Sequence, residues 1–191
     1  MGVAVTIGGM LSYHKCEKQG FFGGDKVFSS AERRNMHKFE DMRFMESAFN
    51  TGAFVSAGGN VMVASWGFVG VMWGKKVYVA PIRDSRYTKE LLDKTGQFTV
   101  SVPSAGSMKS ELAFCGTKSG RDFDKWKETG MQKVSAKVVD GVVVGGCERY
   151  FECRVIGVLP MGDMDIGQVE KWYADGDTHN FYFGEVGAGV R

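Results

Sequence analysis

The sequence predicts an all-β protein with short helices, folded as an antiparallel Greek-key barrel. Several segments alternate apolar and polar residues with the period of a β-strand, and only short helical patterns interrupt them. Asp140-Gly141, a strong turn dipeptide, joins two of these segments. This arrangement favours a barrel over a parallel sheet. With 191 residues and 43% hydrophobic content, the chain suits one domain with a sizeable core.

Charge and cysteine usage exclude several function classes. The formal net charge is +2, from 24 basic and 22 acidic residues, so no general attraction to nucleic acid or membrane is expected. No apolar run approaches the roughly 18 residues that span a bilayer, and residues 2–11 lack the basic start and the cleavage site of a signal peptide. The four cysteines form no C-x-x-C pair and there are three histidines, so we expect no metal site and no disulfide framework. The protein is expected to be cytoplasmic.

The N-terminal residues differ from the rest of the chain. Residues 1–35 carry several glycines and a charged run without a clear period, whereas Phe39, Met42, Met45 and Phe49 have helical spacing. We expect residues 1–35 to be an N-terminal extension and residues 36–191 to form the domain. A hairpin that packs on the barrel is the alternative for residues 1–35.

The expected elements follow in chain order. Strands are expected at residues 53–57, 61–66, 77–82, 98–102, 149–159 and 181–186, with a hairpin over 134–144 that turns at Asp140-Gly141. Short helices are expected after Thr88, at 108–114 and at 122–128. Ser85 or Thr88 is the expected N-cap of the first helix, and Pro81 is expected to end strand pairing. Trp73, Trp126 and Trp172 are interpreted as packing residues.

The segment Arg83 to Thr88 (RDSRYT) is the first candidate for a phosphate site. Arg83 and Arg86 offer guanidinium forks, Ser85 and Thr88 offer hydroxyls, and Tyr87 lies just before a helical pattern whose first N–H groups are free. The alternative is an exposed loop whose arginines pair with Asp84 or Glu90. Both interpretations are compatible with the residues alone.

The segment Cys115 to Lys125 (CGTKSGRDFDK) is the second candidate. Gly116 and Gly120 would let the backbone approach a ligand, and Ser119 and Lys125 would reach phosphate or sugar-alcohol oxygens. Asp122 would cap the helix that follows. Cys115 is, on the residues alone, more often a small buried side chain than a redox thiol.

The segment Asn60 to Gly70 (NVMVASWGFVG) suits a flat aromatic cofactor. Its first part offers backbone amides and two polar side chains to the polar edge of a ring, while Trp66 either shields a ring face or fills a core. The candidate residues in this segment are Asn60, Met62, Ala64, Ser65, Trp66 and Gly67.

Together these three segments resemble the flavin reductase-like family of FMN-binding split barrels, which includes the flavoredoxins. The resemblance covers Phe44 to Val186 and rests on the order and spacing of the motifs, with His179-x-Phe-Tyr-Phe-Gly-Glu as a weaker fourth. It implies a split barrel, a homodimer and FMN as cofactor, with Arg83–Thr88 against the FMN phosphate and Cys115 near the flavin. It also places His179 near the nicotinamide or the flavin edge, where a structural histidine is the alternative.

The chemistry that the resemblance implies is hydride transfer from NAD(P)H to flavin. Such a reaction mainly needs two stacked rings and little side-chain catalysis, which agrees with the lack of a Ser/His/Asp set in the motifs. No G-x-G-x-x-G follows a strand, so NAD(P)H would bind on the flavin in an open cleft. The alternatives are a non-enzymatic FMN electron carrier that serves a protein partner, and a split barrel that has lost its ligand.

Overall fold

The computed structural model describes residues 49–165, 167 and 169–187. All of them belong to one compact unit, Lys38–Arg191. The predicted extension over residues 1–35 lies outside the described residues, as does most of the helical pattern that begins at Phe39. Residues 49–51 are helical.

A seven-stranded antiparallel sheet dominates the fold. Its members are β1 (Ala53–Ala57), β2 (Asn60–Ala64), β3 (Phe68–Met72), β4 (Lys75–Arg83), β5 (Gln97–Val102), β8 (Arg149–Pro160) and β9 (His179–Val186). The order across the sheet is β2-β1-β5-β8-β9-β4-β3, and β6 (Lys133–Ser135) pairs with β7 (Val142–Val144) in a separate ribbon. The prediction of a mainly antiparallel all-β protein is confirmed.

In the described residues, four short α-helices connect the strands: α1 (Tyr87–Thr95), α2 (Lys109–Thr117), α3 (Lys125–Thr129) and α4 (Val169–Trp172). A 3₁₀ turn, Met161–Asp163, follows β8. Within the part of the chain that the structure describes, no helix is long and apolar enough to cross a membrane.

The sheet curves strongly around its main core. Tyr78 on β4 lies with its ring centroid 6.3 Å from Phe98 on β5, although two strands separate β4 from β5 in the sheet. Its ring is also 5.3 Å from that of Phe151 on β8. Neighbouring strands are about 4.8 Å apart, so a flat sheet would keep these rings well beyond contact.

A second core covers the other face of β1 and β2. Phe54 and Val61 pack there against Leu112 and Cys115 of α2. Both faces of β1 are therefore buried, which explains its uninterrupted run of apolar and small residues. This packing places α2, and the loop that follows it, beside the end of β2 where the first motif begins.

The edges of the sheet are β2 and β3, and no pairing between them is found in the described residues. The sheet is curved but not shown to be closed. Greek-key barrel closure and the split-barrel arrangement thus remain predictions.

Two expectations about strand pairing are wrong. Pro81 does not end pairing, because β4 continues to Arg83 and Pro81 pairs with Phe181 on β9. Its missing N–H is tolerated since β3 accompanies β4 only as far as Val79. The separate edge strand β3 was also missing from the prediction.

The hairpin over residues 134–144 is confirmed, but its turn is not at Asp140-Gly141. Lys133 to Ser135 pair with Val142 to Val144, so the loop covers residues 136–141. Its N–H groups at Lys137, Val138 and Val139 all donate to one carboxylate oxygen of Glu152, at 2.8, 2.5 and 3.3 Å. A buried acceptor on another strand thus decides the shape of this loop.

The predicted helix caps are also wrong. Arg86, not Ser85 or Thr88, is the N-cap of α1, and it makes no side-chain capping bond. The helix expected at 122–128 begins at Lys125, and Asp124 caps it by accepting from the N–H groups of Trp126 and Lys127. Asp122 therefore has no capping role.

Candidate functional site

Two neighbouring cavities contain most of the candidate residues. One is small and polar, about 110 Å³, and lies between α1, β2 and the loop from α2 to α3. The other is a large apolar cleft of about 780 Å³ beside β3, β4 and β9. Arg83 lines the cleft and Ser85 lines the polar cavity, so at most about 7 Å of backbone separates these two wall residues.

The polar cavity is strongly cationic. Its cations are Arg86, Lys118, Arg121 and Lys125, and no carboxylate lines it within the described part of the chain. The N-terminus of α1 also lies there, and the first N–H groups of a helix carry partial positive charge. The cavity is therefore suited to an anion with several oxygen atoms.

Lys125 is the buried cation of this cavity. It is only 4% exposed, and its Nζ donates to the carbonyl oxygens of Val61 at 2.8 Å and Cys115 at 2.9 Å. Burial lowers its pKa, Cys115 raises it, and the nearby Arg86 lowers it further. These two carbonyl bonds fix the ammonium between β2 and α2.

The loop from α2 to α3 lies directly on β2 at Asn60. A Cβ atom on Gly120 would be 2.0 Å from Asn60 Oδ1, so only glycine fits here. Asn60 Nδ2 in turn donates to Thr88 Oγ1 at 2.8 Å. Gly120 thus admits the Asn60 side chain, and Asn60 lines the polar cavity.

The two arginines of the RDSRYT segment point to different cavities. The exposed Arg86 lines the polar cavity, and its side chain has no hydrogen bond or ion pair to any described residue. Arg83 Nη1 donates to the Asp177 carbonyl at 3.0 Å, lies 3.6 and 3.5 Å from the Asp175 and Asp177 carboxylates, and covers the Tyr173 ring. Arg83 is thus already engaged, whereas Arg86 is available to a ligand.

Ser85 is likewise tied to the loop before β9. Its N–H and Oγ donate to the two carboxylate oxygens of Asp177, at 3.0 and 2.7 Å. These bonds, with Arg83, hold the pKa of Asp177 below its usual range against the opposing effect of burial. Ser85 borders the polar cavity, but its hydroxyl proton is already used.

Arg121 is a cavity residue that sequence reasoning did not select. Its guanidinium lies 5.2 Å from the centroid of the Tyr87 ring, donates to the Ser85 carbonyl at 3.2 Å and pairs with Glu90. It therefore joins the α2–α3 loop to the start of α1. The signal in the sequence was its position directly after Ser119 and Gly120, both of which were selected as candidates.

The apolar cleft is built from aromatic side chains. Trp66 meets His179 edge to face at 4.8 Å and Phe181 at 5.8 Å, while Phe68 stacks on Phe181 at 6.4 Å. Trp66 is 36% exposed. It lines the cleft and does not fill the core, and the shielding of a ring face by Trp66 stays a prediction.

His179 and Tyr173 form the polar pair of the cleft. The Tyr173 hydroxyl lies 2.7 Å from His179 Nδ1. Burial, with Arg83, lowers the pKa of His179 to about 4, and burial raises that of Tyr173. Both side chains are therefore neutral near pH 7.

The remaining candidates are only partly in the site. Ala64 faces the main core, Ser65 is exposed, and neither Ser65 nor Gly67 lines either cavity. Met62 and Gly116 line the polar cavity together with Ser119 and Tyr87. Cys115 does so as well, but burial raises the pKa of its thiol to about 11, so it stays protonated.

Two of the three tryptophans interpreted as packing residues are mostly in solvent. Trp73 is 78% exposed at the β3–β4 turn, and Trp172 is 69% exposed at the rim of the cleft. Trp126 does pack, and its Nε1 donates to the Gly59 carbonyl at 2.7 Å.

One known protein-family domain matches most of this chain. The flavin reductase like domain matches residues 45–189. The chain belongs to the flavin reductase-like family. The predicted resemblance, which covers Phe44 to Val186, is thereby confirmed.

Relatives of this flavin reductase-like chain are found in sequence and in structure. An uncharacterised protein of Archaeoglobus fulgidus is 32% identical over 104 residues, which are 54% of this chain and 58% of that protein. The match thus spans little more than half the length of the relative.

Several solved structures share the fold. The flavoredoxin of Desulfovibrio vulgaris (Miyazaki F) is 21% identical with a TM-score of 0.58, over 73% of this chain and 68% of its own. An FMN-binding protein from Thermus thermophilus is 22% identical with a TM-score of 0.58, over the same shares. An NADH:FAD oxidoreductase of Streptomyces globisporus is 17% identical with a TM-score of 0.57, over 73% of this chain and 74% of its own.

The largest omission of the sequence analysis is the loop before β9 in this flavin reductase-like fold. Tyr173, Asp175 and Asp177 hold Arg83, Ser85 and His179, although almost ninety residues of chain separate them from the RDSRYT segment. The only signal was the polar sequence from Tyr173 to Thr178 directly before His179. Its partners follow from the pairing of β4 with β9, where Arg83 lies opposite His179.

Proposed function

We propose that this chain is an FMN-binding oxidoreductase that transfers hydride from NAD(P)H to flavin. The polar cavity would hold the FMN phosphate. The flavin ring would extend along the end of β2, past Ser65, toward the aromatic cleft. Because the Ala64 side chain faces the core, only its backbone is available to the ring.

The charge of the polar cavity is the observation that carries this proposal. The described residues place four cations, no carboxylate and a helix N-terminus around a space of about 110 Å³. Arg86 has no partner in the described residues, and a phosphate would supply one. A phosphomonoester carries close to two negative charges near pH 7, so the residues fit it.

The chain itself would mainly position the reactants. When bound, FMN would supply the two-electron chemistry, taking hydride from a nicotinamide and passing electrons to an acceptor. Trp66 and Phe181 would hold flat rings and exclude water, and the neutral His179 would offer an N–H. This agrees with a reaction whose rate depends on ring distance and orientation. The similar Thermus and Streptomyces proteins, an FMN-binding protein and an NADH:FAD oxidoreductase, support the proposal.

A non-enzymatic electron carrier is the second candidate. Phe68 lines the cleft and is also on the exposed apolar edge strand β3, where a protein partner could approach the flavin. Steady oxidation of NAD(P)H by the FMN-loaded protein would identify the enzyme. Flavin that is reduced only by a protein donor would identify the carrier.

The test of the phosphate site is Arg86→Ala, titrated with FMN and with riboflavin. Removing one charge-assisted contact on the order of 1.5–3 kcal/mol should weaken FMN binding roughly 10- to 150-fold. Riboflavin lacks the phosphate and should bind the variant and the parent equally. Arg86→Lys should recover part of the loss, because the ammonium keeps the charge but not the fork.

Lys94→Ala is the matched control, since Lys94 is an exposed cation in the last turn of the same helix. It should leave both dissociation constants unchanged. An unchanged FMN dissociation constant in Arg86→Ala would instead show that the FMN phosphate does not bind beside Arg86.

A further inference from the structure

The aromatic cleft has the shape and lining of a site for a flat, apolar molecule. At about 780 Å³ it is in the size range of small-molecule sites. The Trp66 edge contacts to His179 and Phe181 leave part of the indole exposed. Rings prefer offset or edge-to-face neighbours of this kind.

The cleft also offers one hydrogen-bond donor without a partner. The Tyr173 hydroxyl and His179 Nδ1 lie 2.7 Å apart. We assign the hydroxyl as the donor, because an imidazole nitrogen is a stronger base than a phenol oxygen. The proton of neutral His179 is then on Nε2, which has no partner in the described residues. A half-buried N–H of this kind is free to donate to the oxygen of a bound molecule.

The charges of the cleft favour a neutral ligand. Among the residues that the structure describes, its lining contains a single cation, Arg83, and no carboxylate. The guanidinium is already occupied by the Asp177 carbonyl, by the Asp175 and Asp177 carboxylates and by the Tyr173 ring. An anionic ligand would therefore have to displace carboxylates to reach it.

From these observations we propose that the cleft binds the electron acceptor, and that the acceptor is a neutral, planar carbonyl compound of the quinone type. One quinone oxygen accepts the N–H of His179 Nε2 while the ring packs against Trp66 and Phe181. The binding of the quinone is inferred from the cleft alone. Its reduction rests on the proposed flavin chemistry.

The reaction balances as NAD(P)H + H⁺ + quinone giving NAD(P)⁺ and hydroquinone. The quinone takes up the two electrons that NAD(P)H delivered to the flavin. Its two carbonyl oxygens become hydroxyls with the hydrogen of the hydride and one proton from water. Nicotinamide and quinone would use the same cleft in turn, so the kinetics should be of the ping-pong type.

The experiment compares duroquinone with durene, its parent hydrocarbon. Both have a planar six-membered carbon ring with four methyl groups, but only duroquinone has carbonyl oxygens. Duroquinone has no free ring position, so it does not add to the free thiols of Cys115, Cys147 and Cys153. Calorimetry with FMN-loaded and with flavin-free protein should show duroquinone binding roughly 2- to 12-fold more tightly than durene in both forms.

Variants of the donor make the test specific. His179→Leu should bind the two compounds equally, and His179→Gln, which keeps an N–H, should restore part of the difference. Tyr150→Phe, which removes a hydroxyl outside the cleft, is the matched control and should behave as the parent.

Equal binding of duroquinone and durene by the parent protein would overturn the inference. Binding of duroquinone to the flavin-free form alone would also overturn it, because the cleft would then be the site of the flavin ring. If the protein binds duroquinone but neither binds FMN nor oxidises NAD(P)H, the proposed function fails and the acceptor role fails with it. The carbonyl-binding site is then still established by the His179 variants.

Discussion

His179 should make the stability of the protein depend on pH in a defined window. Burial and Arg83 lower its pKa from 6.5 to about 4, with Arg86 acting in the same direction and Asp177 and Asp84 opposing. The unfolded chain therefore binds more protons than the folded one between these values. His179 consequently destabilises the fold as the pH falls from about 6.5 to about 4, and this loss is absent above pH 7.

Thermal unfolding of the parent and of His179→Gln between pH 4 and 7 measures this effect. The parent should lose more melting temperature than the variant as the pH falls. The other two histidines, His14 and His37, are common to both proteins and cancel in the difference. If the melting temperatures of the two proteins fall by the same amount between pH 7 and pH 4, the pKa of His179 is not lowered.

For single residues, the sequence predicted the chemical character of the site better than it predicted which cavity each side chain points into. The polar cavity is lined by Arg86, Thr88 and Lys125, because the motif and the helix start determine their neighbourhood. That they bind a phosphate stays a prediction. Arg83, three residues before Arg86, points to the other cavity, since its partners Asp175 and Asp177 are on a distant loop. Nothing local to the RDSRYT segment could have separated the two arginines.

Among the elements, the loop between β6 and β7 depends on one side chain. Glu152 is 7% exposed and accepts from three successive backbone N–H groups, at Lys137, Val138 and Val139. Glu152→Ala leaves these donors without an acceptor and should cost on the order of 3 kcal/mol of unfolding free energy. Glu152→Gln keeps a neutral acceptor and should cost about half as much.

Urea unfolding with linear extrapolation measures both variants. Glu148→Gln is the control, because Glu148 is an exposed carboxylate just before the same strand, and it should change the free energy by less than about 0.5 kcal/mol. A comparably small change for Glu152→Ala would mean that the loop does not need this carboxylate.

This loop also shows a limit of predicting strands, turns and helix caps from the sequence. The alternation of apolar residues located most strands to within a few residues, because burial on one face is a local property of the sequence. The Asp140-Gly141 turn, the Asp122 cap and the end of β4 at Pro81 were wrong. Contacts distant in sequence decided two of these outcomes, Glu152 for the turn and β9 for Pro81. The helix cap is a local difference, because Asp124, two residues after Asp122, caps α3.

For the whole molecule, the exposed edge of the sheet predicts self-association. β3 exposes Phe68, Val69 and Val71, and Trp73 follows at its turn. An unpaired apolar edge strand invites pairing with another chain. We expect a homodimer at micromolar concentration, and Val71→Lys together with Trp73→Glu should shift it to monomer in sedimentation velocity.

Val158→Lys provides the control, since Val158 is an exposed valine on β8 away from the β3 edge. It should sediment as the parent does. A parent protein that is monomeric at these concentrations with flavin bound would contradict the prediction.

Phe68 belongs at once to the exposed edge of β3 and to the wall of the aromatic cleft. A chain docked on that edge would remove solvent from one side of the cleft. If the proposed oxidoreductase activity holds, dilution would lower the affinity for substrate as well as the fraction of dimer. The Michaelis constant would then rise as the protein concentration in the assay falls. The double variant of Val71 and Trp73 should show that higher Michaelis constant at every concentration.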